Sequence, residues 1–438
     1  MPTKHRSRCV VLGLDGLPYS LARNLGASGH CPNLAHLLDL TSSKAIQSEI
    51  PDLSPVNWTS FFTASGPEEH GVFGFANLDQ TSYALTCTDF TRVRAPTIFD
   101  QLGEQGRISK VVNLPNTYPA RPIKGMLISG FVAHDLESAV YPKFLLPRLQ
   151  AEGYKLEADT EAGREDFNIL LGELSATLAS RRKALDLFWP DLAWDLFVFV
   201  LTETDRLGHF LFPALVDDSH PWHSPCMDLM RTWDRVIGDV LERYQALPDP
   251  KRLICLADHG FTTLQTEVDL NAWLKGHDLL HLEARPGSEW DSQSMTSRTR
   301  AFALDPGRIF IHTTDRFSRG RVNPQEAASI RDDLRQGLLG LNYGGNPVFE
   351  AILTGEELYP GSPHPDTPDL VCIPKPGFDL KAKFDRGDVF GFFGRTGTHT
   401  FEDVFFATDS PGEVSRVRDT GSLALEAFQE SSLILATT

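Results

Sequence analysis

Along the chain, short unbroken apolar runs alternate with longer stretches whose apolar positions recur at helical spacing. The runs are "CVVLGLDG" (9–16), "SKVVNL" (109–114), "GMLISG" (125–130), "LFVFVLTETD" (196–205), "RLICLADHG" (252–260), "PDLVCI" (368–373) and "DVFFATD" (403–409). Runs of this length that end in a polar residue or glycine predict strands buried on both faces, as in a parallel sheet. Residues 168–189 and 226–246 each carry one apolar helical face. The alternation predicts an α/β fold with a doubly wound, mostly parallel sheet flanked by helices. From about residue 262 to 365 the pattern loosens and Gly, Pro and Ser increase. This predicts a smaller cap inserted into a single catalytic domain spanning 1–438, with "YPGSPHPDTPD" (359–369) as the return loop to the core.

Bulk properties narrow the partners. The 438 residues suffice for one large α/β domain with insertions. A formal net charge of −17 argues against duplex nucleic acid and anionic membrane surfaces. A small phosphorylated substrate stays open, because bound metal ions can invert the field inside a cleft. The six cysteines form no C-x-x-C pair, and Cys9, Cys255 and Cys372 sit in apolar runs. They read as reduced, buried thiols. The N-terminus lacks an apolar signal core, and no run approaches the roughly 20 apolar residues of a membrane span. The compartment predicted from these features is the cytoplasm.

The chemistry-bearing residues cluster at strand ends. Asp15 closes "VVLGLDG", Asp205 and His209 stand four apart in "TETDRLGHF", and Asp258 and His259 are adjacent in "CLADHGF". His399 lies in "GRTGTHTFED", just ahead of the last strand. Alone, each has an ordinary reading: a turn-starting Asp, or a hydrogen-bonded core His. Together, three Asp and three His at one edge of a sheet supply the hard and borderline ligands that suit Zn²⁺, with Mn²⁺ or Fe as other occupants. Two metals roughly 3.5–4 Å apart can clamp the attacking and leaving oxygens of a phosphoryl displacement. Ser54, in "PDLSPVNWTSFFTASG", then has two readings. It is the N-cap of a helix expected over 58–65, or a nucleophile at a helix start, where an anion is favoured.

The order Asp15, Ser54, Asp205/His209, Asp258-His259, His399 resembles the alkaline phosphatase superfamily, and more closely its type I phosphodiesterase/nucleotide pyrophosphatase branch. The resemblance spans residues 10 to 407 and implies an alkaline-phosphatase-like fold and two divalent metal ions. It assigns Asp205, His209 and His399 to one ion, and Asp15, Asp258, His259 and the Ser54 oxygen to the other. It makes Ser54 the nucleophile and Asn57 the donor to a non-bridging phosphoryl oxygen. It implies that His70 holds the turn after the nucleophile helix. The family's nucleotide pyrophosphatases carry Thr and "TG" where this chain has Ser54 and "TASG", which weakens a nucleotide preference. The function implied is hydrolysis of a phosphodiester, pyrophosphate or phosphonate bond through a Ser54 intermediate. The alternatives are a phosphomonoesterase or phosphomutase of the same superfamily, or a catalytically silent metal-binding relative. Trp58, Phe73, Phe75 and Phe210 could stack a leaving group or pack the core. Arg206, Arg298, Arg300 and Arg395 could bind a second phosphate or form salt bridges.

Overall fold

The computed structural model describes residues 6–283 and 286–433. The chain divides into two compact units: residues 1–66, 89–261 and 399–438 in the first, and 67–88 with 262–398 in the second.

The first unit is built on an eight-stranded sheet. In chain order its strands are β1 (Arg8–Leu14), β2 (Ser42–Ile46), β3 (Ser109–Leu114), β4 (Gly125–Ser129), β5 (Val140–Tyr141), β6 (Leu196–Leu201), β7 (Lys251–Leu256) and β8 (Val404–Thr408). Across the sheet the order is β2-β8-β7-β1-β6-β3-β4-β5. The five central strands, β7 through β4, are parallel, while β8 and β5 run against their neighbours. The "LFVFVL" strand β6 is buried at every position, as expected where helices cover both faces of a strand.

Eight helices matter here: α1 (Tyr19–Ala27), α2 (Pro32–Leu38), α3 (Ser54–Thr63), α4 (Ile98–Glu104), α5 (Phe167–Phe188), α6 (Glu203–Val216), α7 (His223–Gln245) and α8 (Val417–Leu433). They form two packed groups. One joins α1 to α2 and α7 to α2, α5 and α6; the other joins α3, α4 and α8. On α7 the buried residues Cys226, Met230, Trp233, Ile237, Val240 and Tyr244 follow the three-to-four spacing that predicted the helix. Helices α5 and α7 begin one and three residues earlier than 168 and 226, and α3 starts at Ser54, four residues before Trp58.

The second unit has its own apolar core, with Phe302, Ile309, Phe310, Trp273 and Leu334 among its buried members. Its largest sheet is antiparallel, in the order 301–304, 308–311, 370–374, 349–354. The run at 368–373 therefore belongs to this sheet and not to the parallel one. Leu370 to Ile373 are buried there as well, and an unbroken apolar run does not distinguish the two settings.

One glycine sets how closely α3 approaches the central sheet. A Cβ on Gly13 of β1 would stand 2.5 Å from Trp58 Cη2 and 2.9 Å from Val200 Cγ2. Trp58 is fully buried. Gly13→Ala is expected to lower unfolding stability by about 1–3 kcal/mol through overpacking. Urea unfolding checks this; a wild-type midpoint would show that the indole has room to move.

Candidate active site

The strand order delivers the site. Strands β7, β1 and β6 are neighbours and parallel, so the residues after their carboxyl ends meet at one edge of the sheet. Asp258 and His259 follow β7, Asp15 follows β1, and Asp205 lies in the first turn of α6, directly after β6. Because β8 runs antiparallel to β7, its start lies at that same edge, and His399 precedes it. Four residues along, His209 shares a face of α6 with Asp205 at i, i+4. Pro213 within α6 cannot donate to the carbonyl of residue 209, and the helix breaks its regular geometry at Leu211.

Two trios of donor atoms result. Asp205, His209 and His399 form one, and Asp15, Asp258 and His259 the other; within each trio the donor atoms lie within 4.8 Å of one another. Asp205 Oδ1 is 3.4 Å from His209 Nε2 and 3.3 Å from His399 Nε2. His259 Nε2 is 3.3 Å from Asp258 Oδ2, 3.9 Å from Asp15 Oδ1 and 3.7 Å from Asp205 Oδ1, which links the trios.

The three carboxylates share one arrangement. Each has one oxygen held by a protein donor: Asp15 Oδ2 by Trp58 Nε1–H at 2.9 Å, Asp258 Oδ1 by the Gly16 N–H at 3.0 Å, and Asp205 Oδ2 by Arg206 Nη1 at 3.1 Å. The other oxygen of each, Asp15 Oδ1, Asp258 Oδ2 and Asp205 Oδ1, is buried without a hydrogen bond and faces the imidazoles. Gly16 can donate this way because its φ is +65°, and a Cβ there would stand 3.0 Å from Asp205 Cα.

Backbone carbonyls set the imidazole tautomers. His259 Nδ1 is 3.0 Å from the Gly260 carbonyl, and His399 Nδ1 is 2.8 Å from the Asp52 carbonyl. A carbonyl only accepts, so in both rings Nδ1 carries the proton and Nε2 turns its lone pair to the site. His399 Nε2 then stands 3.2 Å from His209 Nε2. Phe261 packs edge-on against the His209 and His399 rings, with centroids 5.1 Å away.

The field within the cluster is uneven. Burial, then the charges of Asp258 and Asp205, push the Asp15 carboxyl well above its usual range. Burial also acts upward on Asp205, but His209, His399 and Arg206 outweigh it and hold that carboxyl well below. Burial lowers His259, whereas on His399 the opposing pull of Asp205 prevails and raises it. Asp205 takes the positive charge that the imidazoles and Arg206 supply, and Asp15 is left short of it.

Ser54 is not the N-cap. The cap position belongs to Leu53, in extended conformation, with no side-chain cap bond. Ser54 is the first helical residue, and its Oγ lies 3.3 Å from His259 Nε2. Asn57 sits one turn into α3, against the loop that precedes it. Its Oδ1 accepts from the Glu49 N–H at 2.6 Å, and its Nδ2 faces the carbonyls of Glu49, Pro51 and Leu53 at 3.2–3.3 Å. With the side chain fully buried in that loop, its donor is committed to the backbone. What it does is hold the turn that carries Ser54. Glu49 is anchored in turn by Arg418 Nε at 2.8 Å from α8.

Buried unpaired carboxylate oxygens, converging imidazole lone pairs and an Asp/His donor set all fit divalent cations. A model of the family described as type I phosphodiesterase / nucleotide pyrophosphatase matches residues 9–400. The chain belongs to that family. The family is metal-dependent, its members are hydrolases acting on phosphoric ester bonds, and this chain is an enzyme of that class. Among curated proteins no sequence matches it. Among solved structures, phosphonoacetate hydrolase from Sinorhizobium meliloti 1021 with phosphonoformate superposes with a TM-score of 0.65 at 16% identity, covering 97% of this chain and 96% of that one. Murine ectonucleotide pyrophosphatase / phosphodiesterase 5 gives 0.57 at 13%, covering 96% and 94%, and the human protein gives 0.58 at 12% over the same shares. At these identities the likeness is one of fold, and it agrees with the mostly parallel central sheet. Among the described residues no helix is long and apolar enough to cross a membrane.

Several residues around the family site were not legible as such in the sequence. Trp58 packs the core while its indole N–H reaches Asp15; the only hint was its place one turn beyond Ser54. Arg206 is tied to Asp205 and to Glu157 Oε2 at 3.3 Å, so it is a salt-bridged arginine. His70, in the second unit, accepts from the Val72 N–H and closes its own turn as expected. Phe73, also there, meets Tyr359 edge-on at 5.0 Å, and Phe210 is buried in the first unit. Trp58→Phe keeps the packing but strands a second Asp15 oxygen. It should cost roughly 1–3 kcal/mol of stability and weaken divalent-metal binding roughly 10- to 100-fold. Thermal unfolding and metal titration check this; unchanged metal affinity would mean that Asp15 needs no such support.

Proposed function

We propose that this enzyme hydrolyses a phosphodiester, pyrophosphate or phosphonate bond of a small molecule through a covalent intermediate on Ser54. The observation that supports it most is Ser54 Oγ at the start of α3, 3.3 Å from His259 Nε2 and beside two Asp/His trios whose three carboxylates each keep one buried oxygen without a hydrogen bond. Asp205, His209 and His399 would hold one divalent ion and Asp15, Asp258 and His259, with Ser54, the other. Such ions, Zn²⁺ by donor chemistry and Mn²⁺ or Fe by availability, lower the pKa of a bound hydroxyl and neutralise charge on a phosphoryl group.

The chain's own residues do the rest. The Asn57 bonds fix the loop before α3, so Ser54 meets its target without reorganising. The first-turn amides and positive end of the ten-residue α3 favour an incoming anionic phosphoryl group. His259, whose Nδ1–H is held by the Gly260 carbonyl, turns its Nε2 lone pair toward the place that Ser54 Oγ adjoins, where it would join Asp15 and Asp258 in holding the ion. Ser54 gives up its hydroxyl proton as Oγ bonds to phosphorus. The bond to the leaving group breaks, an oxygen in an ester or pyrophosphate and a carbon in a phosphonate, and that group takes up a proton. Water then attacks the phosphoseryl phosphorus, the P–Oγ bond breaks, and Ser54 regains its hydroxyl proton. Phosphonates enter the range of substrates because phosphonoacetate hydrolase shares the fold over almost its whole length.

Ser54→Ala should abolish turnover, at least 10³-fold, while metal uptake by the six Asp and His ligands persists. The check is a panel of bis-p-nitrophenyl phosphate, p-nitrophenyl phosphate, a dinucleotide pyrophosphate and phosphonoacetate, run with Zn²⁺ and with Mn²⁺. Near wild-type rates in the Ser54→Ala chain would exclude the covalent route. A clear preference for p-nitrophenyl phosphate would select the monoesterase alternative.

A further inference from the structure

The three carboxylates differ in what holds their second oxygen. Asp15 and Asp258 rely on neutral donors, an indole N–H and a backbone N–H. Asp205 relies on a guanidinium. That guanidinium is confined from three sides: Nη1 meets Asp205 Oδ2 at 3.1 Å, Nε meets Glu157 Oε2 at 3.3 Å, and its plane sits 4.0 Å from the Phe131 ring centroid. Its side chain is only 14% exposed, against 19% for Glu157 and 3% for Asp205. Arginine is suited to this, since its planar fork serves two carboxylates and stacks on an aromatic face in one fixed pose, which lysine cannot do.

We propose that Arg206 is a positioning residue that makes Asp205 a one-oxygen ligand and thereby sets the cation affinity of the Asp205/His209/His399 trio selectively. The inference rests on the reading of the two trios as metal sites. With Oδ2 engaged by Arg206, only Oδ1 is left to join the Nε2 atoms of His209 and His399, at 3.4 and 3.3 Å. A carboxylate free to swing could offer both oxygens, or turn toward His259 Nε2, 3.7 Å away in the other trio. Removing the guanidinium therefore loosens one site in orientation. The other trio keeps Trp58 and Gly16 as its supports.

The test uses the full chain, stripped with a chelator and titrated with Zn²⁺ against a chromophoric competitor. His209→Ala identifies which of the two affinities belongs to which trio. In Arg206→Met the affinity of the His209 trio is expected to fall 10- to 100-fold, with the other site within threefold of wild type. Arg206→Lys should recover part of the loss, and Glu157→Gln, which removes the outer anchor, should cause a smaller loss at the same site. Glu157→Gln also serves as the second variant if Arg206→Met does not fold. Wild-type affinities at both sites in Arg206→Met, or equal losses at both, overturn the inference. A wild-type chain that takes up no Zn²⁺ or Mn²⁺ instead overturns the metal reading beneath it.

Discussion

Three carboxylates buried at one sheet edge, each with one oxygen paired and one left unpaired, are the constraint from which the rest of the site follows. An ionised carboxylate taken out of water costs several kcal/mol unless charge and hydrogen bonds are supplied. Here hydrogen bonding supplies half of what each group needs, through Trp58, Gly16 and Arg206. The remaining oxygens face imidazoles whose lone pairs point the same way. Burial and the neighbouring carboxylates push Asp15 up, whereas His209, His399 and Arg206 hold Asp205 down, so the positive charge present is spent on one of the two. A cation would complete such an arrangement, and the family to which the chain belongs is metal-dependent.

The topology makes the constraint affordable. Asp15, Asp205 and Asp258 come from three adjacent parallel strands whose buried runs leave no freedom in register. The antiparallel strand β8 contributes what a fourth parallel strand at that edge could not: its beginning, and with it His399, arrives where its neighbours end. The same rigidity reaches the serine. Gly13 lets the Trp58 ring lie against β1, and the Arg418–Glu49 pair ties α8 to the loop held by Asn57. Each tie is remote in sequence, and each acts on the position of Ser54 or Asp15.

How much of this was legible follows from the physics of each residue. The central strands were readable because burial on both faces forces unbroken apolar runs. The strand ends were readable because Asp and His have no cheap reason to follow such runs. Strand β2, "SSKAI", was not, since an edge strand with two exposed residues carries no apolar signature. The run at 368–373 misled for the converse reason, being buried in a different sheet. Trp58, Gly16 and Arg206 were hidden because their roles depend on one hydrogen bond each, and residue type does not reveal where a donor points. Asn57 was visible from its spacing to Ser54, but the backbone carbonyls that its amide meets were not.

Ser54 shows why residue type and helix position are separate facts. A serine ahead of a helix ordinarily spends its oxygen on capping the first turn. In this chain Leu53 takes the cap position and contributes no side-chain acceptor, so the first-turn amides are not quenched by a hydroxyl. Pro55, within the first turn, has no N–H to satisfy. The cost of leaving the helix start uncapped is offset by the loop bonds of Asn57 and by burial of the whole helix. What remains is a hydroxyl beside His259 and a set of first-turn amides that no side-chain cap occupies. A capped helix would be the more stable local structure and would spend the hydroxyl on those amides.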